Sequence, residues 1–351
     1  MMRSALGYAI VTLSAIYALF YVPQHADLTT MINGSVYASY GVLALSLALI
    51  WGFAGILSFG QAAFFGIGGY AYAIAALNFD NTTLAAAVAI AAAAFSAALL
   101  GYFMFWGRIS DVYLGVITLT VSLILSRFFN QTAGDQWTIG NAPLGGFNGI
   151  PSTPIITLPG DPSNPLPPEQ IYVLAIATLV ICYLLCRLLL ATRFGAIVVA
   201  IRENETRAEL LGYDSRYYKL GVFTVAGAMA GAAGVLFANC VFVSPNMFNL
   251  QTNGQLIIWI IIGGVGTLVG PVVGCFLTLM LSNYLGTVNH SGILAWLDPN
   301  LVMGVLLTMF VLIMRKGLLP LVISGFDRMA SAIGRRPAKS MTANTAVDLS
   351  Q

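Results

Sequence analysis

The segment Arg193–Lys219 reads RFGAIVVAIRENETRAELLGYDSRYYK, and long apolar segments lie on either side of it. It holds five of the 15 Lys and Arg residues of the chain and four of the 13 Asp and Glu residues. A charged, helix-prone segment between membrane spans must lie in water, and its excess of Arg places it on the cytoplasmic side. We call Arg193–Lys219 the island.

The overall composition excludes a water-soluble globular protein. The chain has 351 residues, of which 58% are hydrophobic and 8% charged, and its mean hydropathy is +0.86. Soluble domains carry about 25% charged residues, so lipid must cover most of this surface. The apolar runs are continuous and about twenty residues long, as in membrane-spanning helices, and they lack the alternation of a β-barrel. We therefore predict an all-α, polytopic transmembrane helical bundle.

Ten apolar segments predict a bundle of about eight to ten spans. They cover residues 5–22, 33–51, 58–77, 84–106, 111–129, 171–190, 217–240, 254–269, 271–287 and 299–314. If the N-terminus is cytoplasmic and all ten segments cross, every Lys and Arg except Arg127 lies inside. This positive-inside signal predicts cytoplasmic N- and C-termini.

The chain divides into a transmembrane domain, 1–316, and a cytoplasmic tail, 317–351, whose end we expect to be disordered. The loop 191–216 contains most of the island and is a candidate coupling loop. It lies within the transmembrane domain. The large outer loop 130–170 is rich in Gly, Pro and Asn and is predicted to be irregular rather than a folded domain. Residues 1–21 are interpreted as part of the first span, not as a cleavable signal peptide. The four cysteines fall in apolar segments and are predicted to be buried.

The sequence pattern offers no catalytic or ion-coupling groups. His25 and His290 fall in separate outer loops without a neighbouring nucleophile or metal-ligand spacing. No phosphate-binding Gly-Lys-Ser/Thr loop occurs, and the span centres lack the ionisable residues of proton- or sodium-coupled carriers. We expect a transport protein, not an enzyme, with no metal, cofactor or nucleic acid bound by this chain. It is either passive or driven by a separate soluble partner.

The first motif is a predicted helix in the island, over residues 203–211. Its sequence ENETRAELL contains good helix formers, and Gly212 follows where a C-terminal cap glycine is typical. Val199, Ala208 and Leu211 are expected to share one apolar side. The helix is either a solvated amphipathic connector or a coupling helix that docks on a nucleotide-hydrolysing subunit. The candidate coupling residues are Arg202, Glu203, Asn204, Glu205, Ala208, Glu209, Leu211 and Gly212.

The second motif is the glycine-rich stretch 52–70. Glycines within a span indicate close helix packing, or else a broken helix whose freed backbone groups line a polar path. In the second interpretation Ser58 and Gln61 hydrogen-bond a passing solute, while Phe64 and Phe65 narrow the path. The candidate path residues are Ser58, Gln61, Phe64, Phe65, Gly66, Gly68 and Tyr70.

The third motif is the stretch 263–274, GGVGTLVGPVVG, at the predicted cytoplasmic end of a helical hairpin. Glycine allows the chain to turn, and Pro271 lacks a backbone donor. The stretch is either a tight interhelical turn or a hinge or gate near the coupling helix. The candidate gate residues are Gly263, Gly264, Gly266, Thr267, Gly270 and Pro271.

Motifs spread from about residue 40 to about residue 315 resemble a known family. They are Arg202-Glu203-Asn204-Glu205, Ala208-Glu209, Leu211-Gly212, Tyr218-Lys219-Leu220, the stretch 58–70, Val243-Ser244-Pro245 and the stretch 263–271. Together they resemble the EAA-type loop and flanking spans of ABC importer permeases, within them the branched-chain amino-acid permeases of the LivM type. One departure is Gln61, where many family members carry His. Since Gln hydrogen-bonds but does not titrate, this difference concerns the solute rather than the fold.

The resemblance implies the membrane-spanning permease subunit of an ATP-driven importer for branched-chain or related small amino acids, in a bacterial inner membrane. It implies two ATP-binding subunits that hold ATP and Mg²⁺, a second permease subunit that makes a heterodimer, and a periplasmic substrate-binding protein. Two alternatives stay open. The solute is urea or a short amide, which would also suit Gln61, or the chain is a stand-alone channel or facilitator.

Overall fold

A computed structural model of the chain describes residues 17–79, 81–134, 136–158 and 161–288, with the isolated positions Gly304, Val305 and Thr308. Nearly all of the predicted segment 299–314, the tail 317–351 and most of the predicted segment 5–22 lie outside the described residues. His290 lies outside them as well.

The described chain is almost entirely helical. Its α-helices are α1 (Val22–His25), α2 (Leu28–Ala54), α3 (Gln61–Asn78), α4 (Thr82–Trp106), α5 (Asp111–Gln131), α6 (Pro168–Ala191), α7 (Arg193–Glu203), α8 (Glu205–Leu210), α9 (Ser215–Cys240), α10 (Leu250–Gly263) and α11 (Val269–Val288). A π-helical turn, Tyr17–Tyr21, precedes α1, and short 3-10 helices cover Gly146–Asn148 and Pro245–Phe248. The predicted all-α polytopic bundle is confirmed.

Six of the described helices are long and apolar enough to cross a membrane, namely α2, α4, α5, α6, α9 and α11. Two predicted spans are shorter than expected. The third begins at Gln61 rather than at residue 58, and the eighth ends at Gly263 rather than at residue 269. The eighth span ends where Gly264 has φ +107°, a backbone angle that residues other than glycine disfavour.

The helices form an inner group and an outer group. Each of the six long helices contains an apolar stretch of 18 residues. In this stretch 72% of the residues of α2 and 61% of those of α9 are buried, whereas the buried share in α4, α5, α6 and α11 is 22–28%. Helix α3 lies with α2 and α9, and thirteen of its 18 residues are buried. Small residues allow α3 and α9 to approach each other closely. A Cβ on Gly68 of α3 would overlap the carbonyl oxygen of Gly231 in α9, and a Cβ on Gly234 of α9 would overlap the carbonyl oxygen of Phe65 in α3. The outer helices α4, α5, α6 and α11 thus carry most of the exposed apolar surface of the spans.

The large loop 130–170 is more ordered than the sequence predicts. Among its described residues are two antiparallel hairpins, Thr138–Ile139 (β1) with Ala142–Pro143 (β2), and Thr157–Leu158 (β3) with Asp161–Pro165 (β4). Ile150 is buried and forms a β-bridge with Val243. Apolar side chains such as Leu144 turn inward, so the loop packs on the ends of the helices.

The cysteines lie among apolar neighbours, as predicted. Cys182, Cys186 and Cys275 are buried and Cys240 is half-buried, and all four are free thiols. Cys186 Sγ lies 3.7 Å from Met229 Sδ, which is a packing contact between α6 and α9.

Candidate functional site

The island folds into two helices, not into the single helix predicted over residues 203–211. Helix α7 ends at Glu203, and α8 begins at Glu205. Asn204 separates them with an extended backbone (φ −162°, ψ 100°), while its Oδ1 accepts the Arg207 N–H at 2.8 Å. The break arises because an Asn side chain that caps the next helix competes with continuation of the previous one.

Helix α8 is attached to the start of the central helix α9. The ammonium of Lys219 lies 2.7 Å from Glu205 Oε2, and the Ser215 hydroxyl donates to Glu209 Oε1 at 2.7 Å. Ala208 is buried beneath the helix. Partial burial raises the pKa of the Glu205 carboxyl, but the hydrogen bond and charge of Lys219 outweigh it, so the net pKa is lowered. Glu205 is therefore ionised near neutral pH, and its ion pair with Lys219 fixes α8 to the start of α9.

The C-terminus of α8 presents two leucines to solvent. Leu210 is 83% exposed and Leu211 is 73% exposed. The expectation that Leu211 shares a face with buried Ala208 is therefore wrong, because α8 ends at Leu210 and Leu211 belongs to the cap. The predicted cap glycine is confirmed. Gly212 has φ +91° and donates its N–H to the Glu209 carbonyl at 2.9 Å, and Tyr213 N–H donates to Ala208 at 3.3 Å, a Schellman arrangement.

The C-terminal end of α7 contacts the first glycine-rich stretch, and that stretch lies against the second. The Arg202 guanidinium donates to the Gly52 carbonyl and pairs with Glu203. A Cβ on Gly55, which has φ +74°, would lie 2.7 Å from Arg202 Cγ. A Cβ on Gly52 would lie 3.1 Å from the backbone nitrogen of Gly266. We call this meeting point of Arg202, Gly52, Gly55 and Gly266 the junction.

The third motif forms the turn between α10 and α11. Gly264 and Gly266 have φ values of +107° and +87°, and Thr267 Oγ1 donates to the Gly264 carbonyl at 2.8 Å. A Cβ on Gly263 would overlap the carbonyl of Gly270, which packs the first turn of α11, with Pro271, against the end of α10. The tight turn is thus observed, and it lies at the junction. Its role as a hinge or gate stays a prediction.

The second motif is a broken helix. Helix α2 ends at Ala54, residues 55–60 are not helical, and α3 starts at Gln61. The Gln61 side chain reaches Ser46, eight residues before the end of α2, which is about 12 Å along the helix axis. The extended segment therefore returns into the bundle, and α3 starts within it. Non-helical backbone at such depth is tolerated only where protein or a water-filled cavity surrounds it.

Side chains from other helices satisfy the freed backbone groups. Thr118 Oγ1 of α5 accepts the Phe59 N–H at 3.2 Å, and Asn253 Oδ1 of α10 accepts the Ala62 N–H at 3.0 Å. Asn253 Nδ2 in turn donates to Ser122 Oγ of α5 at 3.0 Å. The sequence analysis missed Thr118, Ser122 and Asn253. Single polar residues inside apolar spans are the signal that would have found them, because hydrocarbon leaves such groups without partners.

The predicted path residues are buried among the inner helices. Ser58, Gln61, Phe64, Phe65 and Tyr70 are each at most 2% exposed. Gly66 and Gly68 pack closely on Phe248 and Gly231, in agreement with the packing interpretation. Their role in solute passage stays a prediction.

Two buried polar atoms of α3 have no hydrogen-bond partner among the described residues, namely Gln61 Oε1 and the Tyr70 hydroxyl. Gln61 Nε2 is satisfied, since it donates to Ser46 Oγ at 3.0 Å and to the Ala226 carbonyl at 3.1 Å. A buried polar atom without a hydrogen-bond partner costs free energy. Gln61 Oε1 and the Tyr70 hydroxyl are therefore the groups of α3 to which a polar solute or a water molecule would form hydrogen bonds.

Replacing Asn253 with Leu is expected to destabilise the protein by about 1–3 kcal/mol, because the buried Ala62 N–H and Ser122 hydroxyl each lose a partner. The unfolding midpoint in detergent measures the change. Asn246→Leu, at an exposed position of the neighbouring 3-10 helix, is the control and should leave the midpoint unchanged. An equal midpoint for Asn253→Leu and the native chain would show that Asn253 does not cap α3.

The fold and the junction together define a class, the polytopic helical membrane proteins in which a water-exposed helix contacts broken helices of the bundle. The profile of the family described as "Branched-chain amino acid transport system / permease component" matches residues 31–314. The chain belongs to this family, and it is therefore a membrane-spanning transport subunit.

Individual relatives agree with this assignment. The chain is 27% identical over 311 residues to the high-affinity branched-chain amino acid transport system permease protein LivM of Escherichia coli (strain K12), covering 80% of this chain and 68% of that protein. It is 28% identical over 114 residues to the autoinducer 2 import system permease protein LsrC of Salmonella paratyphi B, covering 31% of this chain and 33% of that protein. No solved structure matches the chain.

Proposed function

We propose that this chain is the permease subunit of an ATP-driven ABC importer in a bacterial inner membrane, and that it carries branched-chain amino acids inward. In this proposal the island and both termini are cytoplasmic. Two ATP-binding subunits hold ATP and Mg²⁺, a second permease subunit completes a heterodimer, and a periplasmic substrate-binding protein delivers the solute. The family membership and the similarity to LivM support the class of transporter and of solute.

The observation that carries the proposal is the junction. Arg202 connects the island to the carbonyl of Gly52, and Gly52 lies against Gly266 of the other glycine-rich turn. A load applied to the island therefore acts directly on the end of α2 and, through Gly52, on the turn between α10 and α11. A channel has no need of such a connection.

The exposed leucines support a docking role for α8. Leu210 and Leu211 lie beside the ion pair Glu205–Lys219 and thus in water rather than in lipid. Exposed apolar side chains rimmed by charges mark protein interaction surfaces. In the proposal an ATP-binding subunit covers these leucines and moves α8 when it binds ATP.

The movement reaches the bundle by two routes. The pair Glu205–Lys219 and the Glu209–Ser215 hydrogen bond transmit it to α9, which packs on α2, α3 and α4. Arg202 transmits it to the end of α2. A displacement of α9 relative to α3 would open the space beside Gln61 and Tyr70, whose unpaired polar atoms would then meet the solute. Affinity would come from the external receptor, so that a neutral path releases the solute easily.

A second solute is favoured by one specific observation. The unpaired carbonyl oxygen Gln61 Oε1 would accept an N–H of urea or of a short amide as well as an ammonium group. Competition of unlabelled acetamide and urea against labelled leucine uptake separates the two solute classes. Leucine uptake that urea or acetamide suppresses, and valine does not, would favour the amide.

Leu210→Asp is expected to release the ATP-binding subunits. A carboxylate at this 83% exposed position would be desolvated in the docked interface, and we expect affinity to fall about tenfold or more. The measurement is the amount of ATP-binding subunit that co-purifies with the tagged permease. Leu210→Met, which keeps the apolar surface, is the matched control. If the Leu210→Asp variant retained the full amount of ATP-binding subunit, α8 would not be the docking element.

A further inference from the structure

A cavity beside α8 has a charge pattern that the proposed function does not use. It has a volume of about 330 Å³ and lies between the turn that joins α4 to α5 and the first turns of α8 and α9. Arg108, Glu205, Glu209, Arg216 and Lys219 contribute its charged groups. Arg216 is paired with Asp214 at 3.0 Å. Lys219 and Glu205 neutralise each other at 2.7 Å. The arrangement therefore leaves one cation and one anion, Arg108 and Glu209, to be explained.

Arg108 is held in a conformation that is unusual for a side-chain-bearing residue. Its φ is +49°, the only positive value of a non-glycine residue in the described chain. Such backbone strain costs energy and is found mainly at functional sites. Among the described residues the guanidinium makes no hydrogen bond or ion pair, whereas Arg216 beside it is paired with Asp214 at 3.0 Å. The charge of Arg108 contributes to lowering the pKa of the Glu205 and Asp214 carboxyls, yet neither carboxyl forms an ion pair with it. Arg108 thus presents to the cavity a cation that has no ion-pair partner among the described residues.

Glu209 presents the opposite charge across the same cavity. Its Oε1 accepts a hydrogen bond from the neutral Ser215 hydroxyl at 2.7 Å, and within the described residues it forms no ion pair. The carboxylate therefore has room to accept further donors.

An apolar wall lines the same cavity. Phe105 is 5% exposed and Leu114 is 2% exposed, and Ile109 is half-buried beside them. A guanidinium, a carboxylate and an apolar wall around one small volume are complementary to a zwitterion with an apolar side chain. An acidic residue of a protein partner would satisfy Arg108 but would leave both Glu209 and the wall unmatched.

We propose that this cavity is a second binding site for an apolar amino acid, entered from the cytoplasm. Arg108 binds the carboxylate, Glu209 binds the ammonium group, and Phe105 and Leu114 contact the side chain. The choice of ligand rests on the proposed function, because the same class of solute is the product of import. A bound ligand joins the α4–α5 turn to α8 and restrains the helix that the ATP-binding subunit must move. Accumulated product thereby slows its own import.

Equilibrium binding of tritiated leucine to the whole complex tests the site. The complex of permease and ATP-binding subunits is placed in lipid nanodiscs without the periplasmic receptor. Leucine is expected to bind. Two analogues should compete at least about tenfold more weakly, namely leucinamide, which lacks the carboxylate, and 4-methylpentanoate, which lacks the ammonium group.

Arg108→Gln should weaken leucine binding about 10- to 100-fold, because one charge-assisted hydrogen-bonded pair is lost. Arg193→Gln, at an exposed island cation that does not line the cavity, is the matched control and should bind normally.

Receptor-dependent uptake into vesicles preloaded with leucine supplies the second readout. The native complex should be slowed by internal leucine, and Arg108→Gln should not be slowed. Leucine binding that is insensitive to Arg108→Gln, or equal binding of leucinamide, overturns the site. Loss of the ATP-binding subunits from Arg108→Gln would assign Arg108 to a protein contact and also overturns it. Native uptake of leucine without any binding in nanodiscs rejects this site and leaves the proposed function intact, whereas absence of both rejects the proposed solute.

Discussion

Replacing Glu205 with Arg and Gly212 with Pro in one variant is expected to abolish ATP-driven uptake while the protein stays in the membrane. The new arginine would face Lys219 instead of binding it, at a site where the two native groups lie 2.7 Å apart. Proline has φ fixed near −65° and cannot adopt the +91° of Gly212. It also lacks the backbone N–H that Gly212 donates to the backbone carbonyl of Glu209 at 2.9 Å. The ion pair that attaches α8 to α9 and the C-terminal cap of α8 are both lost. Since α8 lies at the surface, the bundle itself keeps its contacts.

The measurement is labelled leucine uptake by cells that express the complete transporter, with immunoblotting of membranes to confirm the amount of permease. Glu169→Arg is the control for charge reversal, because Glu169 is exposed in the first turn of α6 and far from the island in the chain. It should transport normally. Unchanged uptake by the double variant would contradict the coupling proposal and favour a channel or facilitator that works without a motor.

Gly68→Val is expected to prevent assembly of the inner helices. A Cβ at Gly68 would overlap the carbonyl oxygen of Gly231, which is backbone and cannot rotate away. Helices α3 and α9 would have to separate, although α3 is buried on most of its surface. Overpacking of this kind costs about 1–3 kcal/mol, or more where backbone must shift, so a loss at the upper end is expected here. The yield of monodisperse protein in detergent and its unfolding midpoint report the effect.

Gly254→Val is the matched control for this prediction. Gly254 lies in α10, and a Cβ there would meet nothing within 4 Å. The same change of residue should therefore leave both the yield and the midpoint close to native. If Gly68→Val behaved like Gly254→Val, the close approach of α3 and α9 would be wrong.

The difference between these two glycines shows what a sequence pattern leaves open. Both lie within helices, and neither the residue type nor the helical position tells which of them approaches another backbone. Only the neighbouring backbone of α9 makes Gly68 indispensable, because the contact joins residues more than 160 positions apart in the chain. The same holds for Gln61, whose partner Ala226 lies in another helix.

Asn204 illustrates a smaller failure. Helix propensity over residues 203–211 favours one helix, and the cap glycine was located correctly from its type and position. The break at Asn204 was missed because Asn is compatible with both a helix interior and a helix cap. Its extended backbone follows from how α7 and α8 are each fixed, by Arg202 at Gly52 and by Glu205 at Lys219. Those anchors lie outside the segment.

By itself the sequence determined the helical membrane class, the position of most spans, the water-exposed island and the three glycine-rich or charged motifs. These follow from hydropathy, charge and local backbone preference, which act over one or two turns of chain. Only the tertiary structure decided that Arg202 binds Gly52 and that Gly52 lies against Gly266. It also decided that Asn253 and Thr118 satisfy the backbone of a broken helix, and that Arg108 and Glu209 line one cavity. Each of these depends on which helices become neighbours, and pairings between distant residues leave no periodic signal in the chain.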